Sequence, residues 1–352
     1  MSYIEFDNIG ISALAAALPK NIVKNSEENV YFSENEIKSL IKRTGVVERR
    51  VTDAKTCSSD LCFAASEQLL KENDIDRDDI DFLIFVSQTP DYRMPATAFL
   101  LQERLKLKKE TLVFDVNLAC TGFINGLVIA FSILQNSGFR KGLLLNGETR
   151  SKVYSKKDRK GTFLFGDAGT AALIEKQERF EKSFFSFNAD GSDAKLTIIP
   201  AGGYRIPSST ETLEEKIVDE EGNIANDEHV KMNGYGIFSL FVKEIPKDIN
   251  NMLEYSGNDV NTIDYFVFHQ ANAMMNEFVA KKLKIDKSKI PSTLHKYGNT
   301  SSTSIPLAIV SELKQKASKN NRLLLNALGA GMSWASAVIQ LNDCKINEIV
   351  EI

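Results

Sequence analysis

Cys120 lies in DVNLACTGFINGLVIAF, with the strand-like VFDV before it and an apolar helical pattern through Phe123, Leu127, Val128 and Phe131 after it. A strand that turns into a helix starting at Thr121 places the thiol at a helix N-terminus, where unpaired N–H groups and the helix dipole favour thiolate over thiol. Such a thiolate can attack a thioester carbonyl and become acylated, and its own backbone N–H or the next can hold the oxyanion. A buried structural cysteine fits the same pattern, because free Cys is among the most buried residue types. His269 is one of three histidines and follows the strand-like DYFVF directly, in FHQAN. Functional groups gather at the C-terminal ends of strands in α/β folds, and imidazole serves there as a base or a neutral donor. Asn299, in HKYGNTSSTSIP, follows Gly298 at a tight turn entering a helix. Its amide can donate to a carbonyl oxygen or simply cap the helix. In NALGAGMSWASAVIQ, Gly329 and Gly331 let the backbone approach a ligand, so that its N–H groups complete an oxyanion hole or pack a tight core turn. His295 has no comparable setting and reads as structural or exposed.

These residues need elements to hold them. Short apolar runs at Asp81 to Val86, Leu112 to Val116, Lys141 to Asn146, Asp264 to Phe268 and Arg322 to Asn326 alternate with helical stretches. Apolar strands alternating with helices predict an α/β fold with buried, sandwiched sheets. A faint repeat runs through it. IDFLIF at 80 is echoed by IDYFVF at 263, an offset of 183, and LLLN at 143 recurs at 323, an offset of 180. Duplicated halves would bring Cys120 and the Asn299–Thr300 region to one centre from mirrored positions. The halves are drawn as 1–177, with the cysteine, and 178–352, with the histidine and asparagine. A polar, acidic excursion near 210–229 reads as a solvated insertion, with a lid or partner contact as the alternative.

The chain has 352 residues, enough for one large domain or two joined halves. With 43% hydrophobic and 26% charged residues, disordered and fibrous classes are excluded. A net charge of −4 gives no broad polyanion-binding face, so no nucleic-acid partner is expected. The basic run from Lys152 to Lys160 is either a solvated loop or a patch for an anionic substrate or carrier. No signal-peptide pattern and no membrane-length apolar stretch is present, so a cytoplasmic protein without stable membrane insertion is expected. The four cysteines lack metal-ligand spacing and read as free thiols. HExxH, Walker and GxSxG motifs are absent.

RTGVVERR at 43–50, FDVNLACTGF at 114–123, GTFLFGDAGTA at 161–171, HQAN at 269–272, KYGNTSSTSIP at 296–306 and GAGMSWASA at 329–337 resemble, in order, the beta-ketoacyl-acyl-carrier-protein synthase III family. The resemblance implies a thiolase-like, five-layered αβαβα fold of two pseudo-symmetric halves and a homodimer. It implies that Cys120 takes an acyl group from a coenzyme A or carrier-protein thioester. His269 and Asn299 would then promote decarboxylation of malonyl-carrier protein, whose carbanion attacks the acyl-cysteine to give a 3-oxoacyl product. The backbone N–H groups of Cys120 and Ala330 would form the oxyanion hole. Asn272 would line the pantetheine tunnel, and Arg43 and Arg159 would meet phosphates at its mouth. No metal or tightly bound cofactor is implied; the pantetheine-linked substrates and the acyl carrier protein are the expected ligands.

Four positions depart from the family pattern. Ser39 stands where an adenine-stacking tryptophan is usual, which favours a carrier-protein donor over coenzyme A. Met274 replaces a carrier-docking arginine, leaving Lys281 and Lys282 as contacts for an acidic partner. Met94 replaces the phenylalanine that reaches into the neighbouring subunit's acyl pocket, so another primer can be admitted. Ala330 replaces a glycine and needs a φ angle open to alanine. Two other readings stay open: cysteine-dependent acyl transfer to an alcohol or amine, and a non-catalytic carrier-binding subunit.

Overall fold

The computed structural model describes residues 2–27, 31–315 and 320–352. Its principal elements begin with β1 (Ser2–Phe6), β2 (Ile9–Leu18), α1 (Glu34–Thr44), α2 (Ser58–Glu72), β3 (Phe82–Val86), α3 (Thr97–Arg104), β4 (Leu112–Val116), α4 (Gly122–Leu134), β5 (Lys141–Thr149) and β6 (Asp167–Lys176). They continue with β7 (Ser183–Ala189), α5 (Gly234–Tyr255), β8 (Tyr265–Phe268), α6 (Ala273–Leu283), α7 (Ser304–Leu313), β9 (Asn320–Gly329), β10 (Ser333–Asn342) and β11 (Lys345–Glu351). One sheet runs β11-β2-β6-β5-β3-β4 and the other β1-β7-β10-β9-β8.

Strands with apolar residues on both faces must be covered on both sides. In β3 the alternation divides Phe82, Ile84 and Val86, which join the central core, from Leu83 and Phe85, which face the outer core under α2. β9 does the same, with Leu323 and Leu325 inward and Leu324 outward beneath α5 and α6. α4 and α7 fill the space between the sheets, while α2 and α3 cover one outer face and α5 and α6 the other. The result is the expected αβαβα sandwich.

The sequence repeat is visible as one strand pairing used twice. β3 runs parallel to β5 with Val86 opposite Asn146, and β8 runs parallel to β9 with Phe268 opposite Asn326. The terminal strands do not follow the halves. β1 pairs with β7 in the second sheet, and β11 pairs with β2 in the first. Among the described residues no helix is long and apolar enough to cross a membrane.

α1 carries a capping box, Ser33 with Glu36, and ends at Gly45 with φ 78°. A Cβ on Gly45 would stand 2.7 Å from the Ala273 Cβ, so this glycine lets the end of α1 seat on the start of α6. That contact sets Arg43 and Met274 around one opening.

Candidate active site

The N-terminal ends of α4 and α7 meet between the sheets. Cys120 comes just before Thr121, the N-cap of α4, so the helix starts at Gly122, one residue later than the expected start at Thr121. Its Sγ lies 3.8 Å from the Ser301 Oγ, a residue 181 positions away. The mirrored approach expected from the repeat is therefore realised by side chains in contact. Ser301 has φ 55°, a left-handed backbone held by its N–H donating to Asn299 Oδ1 at 2.9 Å.

Asn299 is clamped by the FLFGDAG segment. Its N–H donates to Leu164 O at 2.8 Å, and its carbonyl accepts from Gly166 N at 3.1 Å. A Cβ on Gly166 would come within 2.2 Å of the Tyr297 carbonyl oxygen, so only glycine allows this closeness. Asn299 does not act as a simple helix cap, since its Oδ1 turns back on Ser301 and leaves Nδ2 facing the cleft.

His269 is buried, 5% exposed, and its Nδ1 stands 2.7 Å from Ser304 Oγ. The Gln270 N–H donates to that same hydroxyl oxygen at 3.4 Å, and in the tautomer where the hydroxyl gives its proton to Nδ1 the imidazole proton sits on Nε2. Nε2 is 3.5 Å from Asn299 Nδ2, which also donates to Ala271 O at 3.4 Å. Two nitrogen donors therefore stand side by side. Burial pushes the His269 pKa down to about 3, so the ring is neutral at physiological pH.

The pKa has a consequence for stability. Between pH 6.5, the ordinary value, and about 3, the unfolded chain binds a proton at His269 that the folded chain refuses. Stability is therefore lost as pH falls through this window, by up to about 1.4 kcal/mol per pH unit. Glu148, raised to about 7 by burial, acts in the opposite sense between 4.5 and 7. Denaturant unfolding of wild type and His269→Gln isolates the histidine, because Glu148 is common to both. Wild type is expected to lose more stability than the variant between pH 6.5 and 4.5; parallel curves would contradict a neutral buried ring.

Cys120 departs from expectation in one respect. Burial pushes its thiol up to about 11, outweighing the Arg150 cation and the Ser301 hydroxyl that pull it down. Desolvation of the anion outweighs the side chains that face the thiol, which favours the protonated form. The backbone near the sulfur is tightly fitted. A Cβ on Gly329 would lie 2.9 Å from the Cys120 N and 3.1 Å from its Cβ. Gly329→Ala is expected to displace Cys120 and cut acylation of the thiol at least tenfold (roughly the loss expected from a misplaced reacting group). Intact-mass kinetics would check it, and unchanged acylation would mean the turn tolerates the shift. Ala330 is not among the described non-glycine residues with positive φ, so alanine sits there without left-handed strain.

Cys120, His269 and Asn299 line one cleft of about 740 Å³, together with Ala330, Asn272, Arg43, Arg159 and Met274. Asn272 also caps α6, its side chain accepting from Met275 N at 2.9 Å. Lys281 and Lys282 are exposed in the last turn of α6, outside the cleft lining. Met94 is 84% exposed and does not line the cleft within this chain. Ser39 and His295 are exposed.

The 210–229 excursion is not merely solvated. It folds over the basic run: Lys160 pairs with Asp219 at 2.6 Å, and the Arg159 N–H donates to Asn223 Oδ1 at 3.1 Å. Arg159 itself pairs with Glu36 at 3.5 Å and lies over the Phe32 ring. The run is thus partly neutralised at the cleft mouth, and Glu221 reaches the lining.

Sequence reasoning missed Glu148 and Arg150. Both are buried, and Glu148 accepts from Ser302 at 3.1 Å and from Thr89 at 3.4 Å. The available signal was two charges ending the otherwise uncharged run LLLNGETR.

With this geometry in hand, comparison with known proteins gives one answer. The family model for 3-oxoacyl-acyl-carrier-protein synthase III matches residues 114–191, and the model for its C-terminal part matches 253–341. Beta-ketoacyl-acyl-carrier-protein synthase III of Caldanaerobacter subterraneus is 34% identical over 334 residues, 94% of this chain and 97% of its own. The Aliarcobacter butzleri protein of the same name is 34% identical, covering 98% and 100%. A crystal structure of 3-oxoacyl-acyl-carrier-protein synthase from Burkholderia xenovorans superposes with a TM-score of 0.93 at 35% identity, covering 100% of this chain and 99% of that one. The chain has the thiolase fold and belongs to the 3-oxoacyl-acyl-carrier-protein synthase III family, as an enzyme of the beta-ketoacyl synthase type.

Proposed function

We propose that the protein catalyses a decarboxylating Claisen condensation between an acyl group on Cys120 and malonyl-acyl-carrier protein. The observation that carries this reading is the pair of nitrogens, His269 Nε2 and Asn299 Nδ2, side by side in the cleft that holds the thiol. In the first step the Cys120 sulfur attacks the donor thioester, the old C–S bond breaks, and the departing thiol takes up the proton Cys120 loses. Acylation therefore needs proton transfer without net release, which suits a thiol that rests protonated. In the second step the malonyl C–C bond breaks, CO2 leaves, and the electron pair forms a thioester enolate. The two donors stabilise its developing oxygen charge. The enolate carbon attacks the Cys120 thioester, the backbone N–H groups of Cys120 and Ala330 hold the tetrahedral oxyanion, and collapse breaks the Cys120 C–S bond to release a 3-oxoacyl-carrier protein and a thiolate that takes one proton from solvent.

A carrier-protein donor fits better than coenzyme A, since Ser39 on α1 offers no aromatic surface for an adenine. Lys281 and Lys282, exposed beyond Met274, suit an acidic carrier. A homodimer would bury the exposed Met94 loop against a second subunit's cleft.

The test is to acylate the protein, remove excess donor, and add malonyl-carrier protein. A 3-oxoacyl-carrier product with one CO2 per acyl group consumed is expected. An acyl-enzyme that ignores malonyl-carrier protein but transfers its acyl group to an added alcohol or amine would overturn the assignment.

A further inference from the structure

Arg150 is a permanent cation in the substrate cavity. It follows β5 directly, is 6% exposed, and lines the same cleft as Cys120. Its Nη1 donates to Gln88 Oε1 at 3.3 Å and its Nη2 to the Tyr154 hydroxyl at 3.2 Å. Its Cζ sits 5.5 Å from the Tyr154 ring and 5.6 Å from the Phe165 ring, two rings stacked on each other at 4.2 Å. The guanidinium is therefore held in one orientation by aromatic and neutral polar neighbours.

Its charge has no full counterion. Both acceptors, an amide and a phenol, are uncharged at neutral pH. Glu148, two residues earlier, attracts Arg150 through its charge and so balances it in part, but gives its hydrogen-bonding oxygens to Ser302 and Thr89. The Arg150 Nε is buried with no hydrogen-bond partner and is closed off from the cleft, so only the Nη N–H groups can meet a ligand there. A guanidinium cannot shed its proton to relieve this, and an unpaired buried charge is strongly disfavoured. What satisfies an unfilled guanidinium best is a planar carboxylate.

We propose that the acyl group carried by Cys120 ends in a carboxylate that pairs with Arg150, so that the primer is the half-thioester of a dicarboxylic acid. This rests on the acyl-Cys120 reading above and specifies its substrate. Loading remains a thioester exchange: the Cys120 C–S bond forms, the donor C–S bond breaks, the Cys120 proton goes to the departing thiol, and the distal carboxylate is unchanged. The condensation product would then carry a 3-oxo group and a terminal carboxylate.

The experiment follows Cys120 acylation by intact-mass kinetics with acyl-pantetheine donors, which bypass carrier recognition. Succinyl, glutaryl and adipoyl donors are compared with butyryl, pentanoyl and hexanoyl donors, in wild type, Arg150→Leu and Arg150→Lys. Wild type should prefer the carboxylated member of each best-fitting pair by roughly 10–100-fold, the range for a charge-assisted hydrogen bond. Arg150→Leu should reverse the preference and Arg150→Lys should keep its direction. The ratio is internal to each variant, so a partly folded preparation does not distort it. An equal loss with both donor types in Arg150→Leu would assign Arg150 to tuning the thiol and overturn the proposal. A rise in the KM for malonyl-carrier protein with unchanged acyl preference would overturn it by giving Arg150 to the other substrate. If neutral chains load and condense while carboxylated ones do not, this proposal fails and the condensation stands. If no acyl donor modifies Cys120, both fail.

Discussion

Cys120→Ala is expected to leave no acyl adduct and to lower 3-oxoacyl product formation by at least about 10³-fold, since the covalent route needs the sulfur. The fold should survive. The side chain is small, sits at the cleft rather than in the core, and its one side-chain partner is the Ser301 hydroxyl at 3.8 Å. The variant retains His269, Asn299 and Ser304, so it should still release CO2 from malonyl-carrier protein and leave an acetyl-carrier product. That residual reaction separates the two halves of the chemistry. A Cys120→Ala protein that forms 3-oxoacyl product at a rate near wild type would remove the acyl-cysteine from the mechanism.

The second large effect is the mirror of the first. His269→Ala and Asn299→Asp should each acylate Cys120 within a few fold of wild type, yet lose about 10²–10³-fold in malonyl decarboxylation, the usual consequence of deleting one preorganised donor. Aspartate is the sharper substitution at 299. It keeps the Oδ1 that accepts from Ser301 N at 2.9 Å, and so keeps the left-handed turn beside the thiol, while removing the Nδ2 donor. Alanine would disturb both. Rapid-quench measurement of CO2 release against acyl-enzyme formation distinguishes the steps. Equal losses in the two steps would mean that the pair serves the thiol rather than the malonyl group.

Much of this site was legible before any coordinates, for identifiable reasons. DFLIFV and RLLLN read as strands because buried parallel strands are apolar on both faces, and β3 and β9 divide their side chains between two cores as that pattern demands. Cys120, His269 and Asn299 each sit where a strand or turn meets a helix, a position visible in the local sequence. The properties that were misjudged or missed depend on distant segments. The direction of the Cys120 shift is set by burial, which no local window reports. Glu148 and Arg150 acquire their settings from Thr89, Ser302 and Gln88, brought in from distant segments, as well as from nearby Tyr154. The 210–229 excursion looked solvated because its acids are polar, yet those acids have bases waiting on the 152–160 run.

The exchange of terminal strands has a consequence for biosynthesis. β1 lies in the first half of the chain, but its partner β7 lies in the second. β2, whose edge stays open until β11 arrives, must wait through more than three hundred residues of translation. Neither sheet can close on the nascent chain from its own half alone. A chain cut short before β11 is expected to leave one edge of β2 bare, an open template for pairing with another chain.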